Sequence, residues 1–171
     1  MRIAVIYESI YGNTRAIAEA IADGLRVHGD VTLEPAGDQA FMDVDLLVVG
    51  APTHAHGLPT AMTRRGVEAA AQAAEEKGQP LESGPTPAVR SFVDRLQTGM
   101  GRSAACFDTR FDKSPLLTGS AAKTIAKKLG RLGYELVAPP ESFFVLDSEG
   151  PLKDGELERA RAWGASLIGT P

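Results

Sequence analysis

The sequence predicts an α/β domain with a parallel sheet, and two features of its pattern support this. Short apolar runs without polar alternation, such as "DLLVVG" at 45–50, are typical of strands buried on both faces. Segments with apolar residues at helical spacing separate these runs. No internal repeat breaks the alternation. Because crossovers between parallel strands are right-handed, few topologies remain.

The predicted elements follow one another along the whole chain of 171 residues. Strands are expected at 2–7, 31–34, 45–50, 103–107 and 135–145, and helices at 13–28, 60–74, 89–96, 120–132 and 156–168. Pro139 and Pro140 interrupt the last strand, and they require an edge position or a bulge there. The last helix is expected to bury Leu157, Ala160, Leu167 and Ile168.

The chain length suits a single domain, residues 1–171, with one hydrophobic core. The stretch 75–90 contains "EEKGQPLESGPTP", in which Gly and Pro break any helical or strand pattern. We therefore expect a surface insertion at 75–90 within an otherwise continuous domain.

Composition and charge narrow the possible classes of function. The net charge is −4 and neither sign forms a long block, so no nucleic-acid partner is expected. The apolar runs are too short to span a bilayer, and the first residues lack a signal-peptide core. We therefore expect a cytoplasmic protein with no membrane partner. The one cysteine, Cys106, lies within a predicted strand and is expected to be an inert core residue.

The loop 9–14, "SIYGNT", joins a predicted strand directly to a predicted helix. The first N–H groups of a helix lack partners and carry partial positive charge, so a turn that aims them at one point binds phosphate. Ser9 and Thr14 can add hydroxyls, Asn13 an amide, and Gly12 allows the backbone to approach closely. The loop has neither the lysine of a triphosphate loop nor the GxGxxG of a dinucleotide loop. A monophosphate fits best.

The stretch 5–21, "VIYESIYGNTRAIAEAI", resembles the FMN-phosphate signature of flavodoxins. The matching positions are an aliphatic pair, an aromatic, Ser9, Gly12, Thr14, Ala18 and Ile21. The resemblance implies a flavodoxin-like three-layer sandwich, whose five-stranded parallel sheet has the order 2-1-3-4-5 and helices on both faces. Flavodoxin is the standard example of this order, with FMN bound where the strand order reverses.

The resemblance also implies which residues contact FMN. The phosphate loop would hold the phosphate, and the isoalloxazine ring would lie between the loops after the third and fourth strands. By position these loops are 51–59, "APTHAHGLP", and 107–111, "FDTRF". The implied cofactor-binding residues are Ser9, Ile10, Tyr11, Gly12, Asn13, Thr14, Pro52, Thr53, His54, Ala55, His56, Gly57, Phe107, Asp108, Thr109, Arg110 and Phe111.

This chain departs from the flavodoxin pattern within both kinds of loop. Ile10 and Tyr11 stand where many flavodoxins carry threonines, which leaves more of the phosphate binding to backbone N–H groups. His54 and His56 could form a metal pair, but H-x-H spacing without further ligands is weak support, so no metal is assigned. Gly57 could permit a peptide flip beside the ring or be an ordinary turn glycine.

The leading interpretation is an FMN-binding electron-transfer protein that works with a redox partner protein, either a reductase or an electron acceptor. The chemistry would be that of the cofactor, and no catalytic residue is assigned. Two alternatives stay open: an NAD(P)H-dependent quinone or flavin reductase on the same fold, and a flavin-free partner-binding module. The sequence indicates neither the redox partner nor the oligomeric state.

Overall fold

The fold is described from a computed structural model. It describes residues 1–37, 44–54, 58, 65–66, 69, 88–114, 118–147 and 149–169. The helix predicted at 60–74 and the insertion predicted at 75–90 lie largely outside the described residues and stay predictions.

Six described strands form one parallel sheet with helices on both faces, which confirms the predicted fold class. The strands are β1 (Arg2–Tyr7), β2 (Asp30–Pro35), β3 (Leu46–Pro52), β4 (Ser103–Phe111), β5 (Glu135–Leu136) and β6 (Glu141–Val145). The helices are α1 (Asn13–Leu25), α2 (Val89–Arg95), α3 (Ala121–Arg131) and α4 (Glu156–Ser166). The sheet order is β2-β1-β3-β4, and β5 and β6 both pair with β4.

The position predicted for a single fifth strand is occupied by two short strands. β5 pairs with the first residues of β4, at Ser103 and Ala104, and β6 pairs with its last five residues. The break falls at the two prolines, which cannot donate to the ladder. The prolines thus divide the fifth strand without removing β6 from the sheet.

The core lies in two layers, one on each face of the sheet. Successive residues of β1 alternate between them, as the pleat requires. Val5 packs in the cluster with Ile17 and Ile21 of α1, whereas Ile6 packs in the cluster with Phe92 of α2. The strands are buried on both faces, which explains their continuous apolar sequence.

Helix α4 packs against α1 along a stripe of small residues. A Cβ at Gly24 would lie 2.1 Å from the carbonyl oxygen of Arg161, and a Cβ at Gly164 would lie 2.4 Å from that of Ile21. The buried residues of α4 are Glu156, Ala160 and Gly164. The expectation that Leu157 is buried is wrong, since 42% of it is exposed. The stripe at every fourth residue fixes which face of α4 turns inward.

Strand β4 is longer than the sequence pattern predicted, and this changes the description of the site. The strand was expected to end at Phe107, with a loop at 107–111, but it continues to Phe111. The expected loop is therefore wrong. Both neighbours extend the ladder: Pro52 of β3 pairs with Thr109, and Val145 of β6 pairs with Phe111. Polar side chains that look like a loop in sequence are tolerated here because the strand lies between two others.

We expect Gly50→Ala to destabilise the fold, because an added Cβ would lie 2.0 Å from the ring of Phe107. Overpacking of this kind costs about 1–3 kcal/mol. Gly130→Ala is the matched control, since its Cβ would meet no atom within 4 Å and helical alanine gains up to about 1 kcal/mol over glycine. Urea unfolding of both variants measures the difference. Equal stability of the Gly50→Ala variant and the parent would contradict the packing described here.

Candidate functional site

A pocket opens at the carboxyl ends of β1, β3 and β4, where the sheet order reverses between β1 and β3. It holds about 480 Å³ of space, including its open mouth. It is lined by Ile10, Tyr11, Asn13, Thr14, Pro52, Thr53, His54, Thr109, Arg110, Phe111 and Val145. The topology thus brings together the three segments that the sequence predicted to share one site.

The N-terminus of α1 points its first N–H groups toward this end of the sheet. Gly12 is the N-cap, with φ 87° in the left-handed region, and as a glycine it has no side chain to cap the helix. Ser9 is fully buried, and its Oγ accepts a hydrogen bond from the N–H of Arg15 at 3.3 Å. The first-turn N–H groups have no partner within a helix. The turn therefore has the backbone geometry of an anion cradle.

Three threonines of the predicted site are bonded to other parts of the protein. The Thr14 and Thr109 hydroxyls share a buried hydrogen bond of 2.7 Å, which joins α1 to β4. The Thr53 hydroxyl accepts from the N–H of Ala121 at 2.8 Å and donates to Asp108 at 3.0 Å. These hydroxyls hold the elements around the pocket in place.

Asp108 is fully buried and joins β4 to β3 and α3. Its Oδ2 accepts from Thr53, from the Ser120 hydroxyl at 2.6 Å and from the Ala122 N–H at 3.0 Å. Its Oδ1 makes no hydrogen bond to any described residue and lies 4.0 Å from Nε of Arg110. A carboxylate at the start of α3 also interacts favourably with the positive end of that helix dipole. Asp108 therefore holds together the elements that surround the pocket and does not line it.

The other predicted site residues on β4 divide between the core at its start and the pocket at its end. Phe107 is fully buried against Phe143 and Trp163 and does not line the pocket. Arg110 lines the pocket although it is nearly buried, and it donates to the Ser142 hydroxyl and to main-chain carbonyls of the following turn. Phe111 lines the mouth and is 37% exposed.

Asn13 lines the pocket, but its amide is engaged elsewhere. Its Nδ2 donates to the carbonyl oxygen of Glu149 at 2.9 Å. Tyr11 also lies close to this turn, since burial and the charge of Glu149 both raise its pKa. Ala55, His56 and Gly57 lie outside the described residues, so their assignment to the site stays a prediction.

Val145 belongs to the pocket and was missed from the sequence. It ends β6, and parallel strands place their carboxyl ends at one edge of the sheet. The predicted last strand also ended at 145, so its position in the topology could have indicated this residue. It was missed because only the loops after the first, third and fourth strands were considered.

His54 lines the pocket with a partly buried imidazole. Its Nε2 is buried and makes no hydrogen bond to any described residue. Burial lowers the pKa of His54, because an imidazolium loses its hydration there. The side chain is therefore neutral at neutral pH. In the described part of the chain, no group of three or more His, Cys, Asp or Glu residues could hold a metal ion.

The chain matches the flavodoxin family model over residues 5–163, and it belongs to the flavodoxin family. Proteins of this family bind FMN as their cofactor. No curated protein matches the chain. Among the described helices, none is long and apolar enough to cross a membrane.

Solved structures show the same fold at low sequence identity. A flavodoxin from the domain Archaea is 20% identical, with a TM-score of 0.65 over 98% of this chain and 96% of that chain. Oxidised flavodoxin 2 from Bacillus cereus is 18% identical, with a TM-score of 0.64 over 98% of this chain and 97% of that chain. Two-electron-reduced Megasphaera elsdenii flavodoxin is 17% identical, with a TM-score of 0.61 over 95% and 98%. At these identities the likeness concerns the fold.

We expect Asp108→Asn to destabilise the protein by about 1–3 kcal/mol, the range for a lost charge-assisted hydrogen bond. The amide would keep one acceptor for the three donors, but it would remove the buried carboxylate that faces the nearly buried Arg110. Asp154→Asn makes the same chemical change on an exposed residue and should stay within about 0.5 kcal/mol. Urea unfolding measures both, and equal effects would contradict the supporting role of Asp108.

We expect His54 to make stability fall as the pH drops below the ordinary histidine pKa of about 6.5. The unfolded chain takes up a proton near pH 6.5, whereas the buried side chain resists protonation to lower pH. The contribution is therefore complete above pH 6.5 and is lost as the pH falls below it. Thermal or urea unfolding of the parent and of His54→Gln gives the difference in stability at each pH. A difference that does not change with pH would contradict the burial of His54.

Proposed function

We propose that this protein is an FMN-binding electron-transfer protein that exchanges electrons with a redox partner protein in the cytoplasm. The observation that carries the proposal is the helix N-terminus at Gly12, which opens on a pocket at the switch point of a flavodoxin sheet. A phosphate suits the cradle because backbone N–H groups and the helix dipole both favour an anion there.

The donor set of the pocket fits FMN. The phosphate would be held mainly by backbone N–H groups of the first turn of α1, since the Thr14 hydroxyl is already paired with Thr109. The pocket lining also includes the apolar side chains of Pro52, Phe111 and Val145. Bound FMN would supply the redox chemistry, and the chain would orient it and limit its contact with water.

Transfer to a partner protein is favoured by the shape of the site. The mouth is open to solvent and carries the partly exposed ring of Phe111. A cofactor bound there would have one edge close to the protein surface, where a partner could approach it. The lone cysteine is buried and unpaired, which is compatible with the reducing conditions of the cytoplasm.

The first experiment is the visible spectrum of the purified protein, with mass spectrometry of any cofactor released by heat. A yellow protein that releases one FMN supports the proposal. The next step is anaerobic addition of NADPH alone, which should leave the bound flavin oxidised until a separate reductase is added. Rapid bleaching by NADPH alone would instead indicate a reductase. A colourless protein that does not take up added FMN would indicate a flavin-free module.

We expect Gly12→Ala to weaken FMN binding about tenfold or more, because φ 87° costs an L-residue roughly 1–2 kcal/mol and any relaxation turns the N–H groups away. Gly155→Ala is the matched control, since Gly155 is the N-cap of α4 with φ 82° and is absent from the pocket. Fluorescence titration of the apoprotein measures both affinities. Unchanged binding by Gly12→Ala, or an equal loss by the control, would contradict the cradle.

A further inference from the structure

The end of β6 and the residues after it form a hairpin beside the pocket. It consists of residues 144–147 and 149–153 and is called the clasp below. The N–H of Leu146 donates to the carbonyl of Pro151, and the N–H of Lys153 donates to the carbonyl of Phe144, both at 2.9 Å. Val145 and Leu152 form an antiparallel bridge. The clasp is thus a folded hairpin whose first strand contributes Val145 to the pocket wall.

The clasp is fastened to two elements that also line the pocket. The carbonyl of Glu149 accepts from Nδ2 of Asn13 at 2.9 Å, which joins the clasp to the start of α1. Nζ of Lys153 pairs with Asp112 at 2.7 Å, which joins it to the residue after β4. The second pair is exposed and contributes little. The bond to Asn13 is therefore the stronger fastening.

Asn13 also packs closely against the turn of the clasp. A Cβ at Gly150 would lie 2.7 Å from Oδ1 and 2.8 Å from Nδ2 of Asn13, so only a glycine allows the amide to lie against this turn. Gly150 also has φ 109°, which an L-residue rarely adopts. The bond to Glu149 uses one N–H of the Asn13 amide, so only the second N–H is left for a ligand.

The charge of the clasp argues against a direct role in phosphate binding. The carboxylate of Glu149 is close enough to Tyr11 of the cradle to raise its pKa. A carboxylate near the cradle repels a phosphate dianion. The contribution of the clasp to binding then comes from the pocket wall at Val145 and not from its charge.

We propose that the clasp holds bound FMN in the pocket, and that Asn13 is a positioning residue that fastens the clasp rather than a phosphate ligand. This inference rests on the FMN binding proposed above. A pocket wall that is fastened at Val145 slows release of the whole ligand, whether or not the ligand carries a phosphate.

The first test uses the unaltered protein. Hydrogen exchange of the apoprotein and of the FMN complex should show added protection in a peptide that covers 144–153. Binding of FMN without added protection there would overturn the inference and leave the proposed function intact. If the protein binds no FMN at all, the proposed function fails, and the clasp inference fails with it.

The second test separates a positioning residue from a phosphate ligand. Asn13→Ala should weaken FMN and riboflavin by the same factor, about fivefold to tenfold for one lost hydrogen bond. Inorganic phosphate should compete with FMN equally well in the variant and the parent. A loss for FMN alone, with weaker phosphate competition, would make Asn13 a phosphate ligand and overturn the inference.

Glu19→Ala is the control for this variant. Glu19 lies on the exposed side of the same helix and pairs with Arg15, and it does not line the pocket. Its FMN affinity should stay within twofold of the parent. If Asn13→Ala fails to fold, hydrogen exchange of the unaltered protein still tests whether the clasp holds FMN. If the parent binds no riboflavin, phosphate competition alone tests whether Asn13 is a phosphate ligand.

Discussion

The buried carboxylate of Asp108 is the point at which the elements around the pocket are held together. One oxygen receives hydrogen bonds from Thr53 at the end of β3 and from Ser120 and Ala122 at the start of α3. The charge of Asp108 is balanced by those donors, by the start of α3 and by Arg110. Because an unpaired buried charge is costly, these groups have to keep their mutual arrangement. This arrangement sets the position of the pocket wall at Thr53 and His54.

A second buried charge fixes the opposite wall. The Glu156 carboxylate accepts from the N–H of Phe144 at 2.8 Å and pairs with Arg159, which also donates to the carbonyl of Ser142. The guanidinium of Arg159 lies over the ring of Phe143 at 4.4 Å. These contacts attach β6 to the start of α4, so that Val145 and the clasp are held at the carboxyl edge of the sheet. Both walls are thus positioned by charged groups that do not line the pocket.

The side chains of the phosphate loop are mostly used to build the site. Ser9 accepts a hydrogen bond from the backbone N–H of Arg15 in α1, Thr14 is paired with Thr109, and Asn13 is bonded to the clasp. Ile10 and Tyr11 bring no aliphatic hydroxyl at the positions where many flavodoxins have threonines. In the proposed mode of binding, the phosphate is met mainly by the backbone at the start of α1, with its dipole and the left-handed turn at Gly12. This arrangement makes the conformation of the loop more important than its hydroxyls.

The sequence by itself determined the parallel sheet, most of its strands and the loop at 9–14, because hydrophobic period and turn chemistry are local properties of a chain. The strand order was implied by the resemblance to flavodoxins. The sequence could not determine that β4 continues through Asp108 to Phe111, since polar residues look like a loop until two neighbouring strands are seen to pair with them. Nor could it show that Leu157 is exposed, because the inward face of α4 depends on the close approach to α1. The bond from Asn13 to Glu149 joins residues far apart in the chain, and only the tertiary structure decided that this amide faces the clasp.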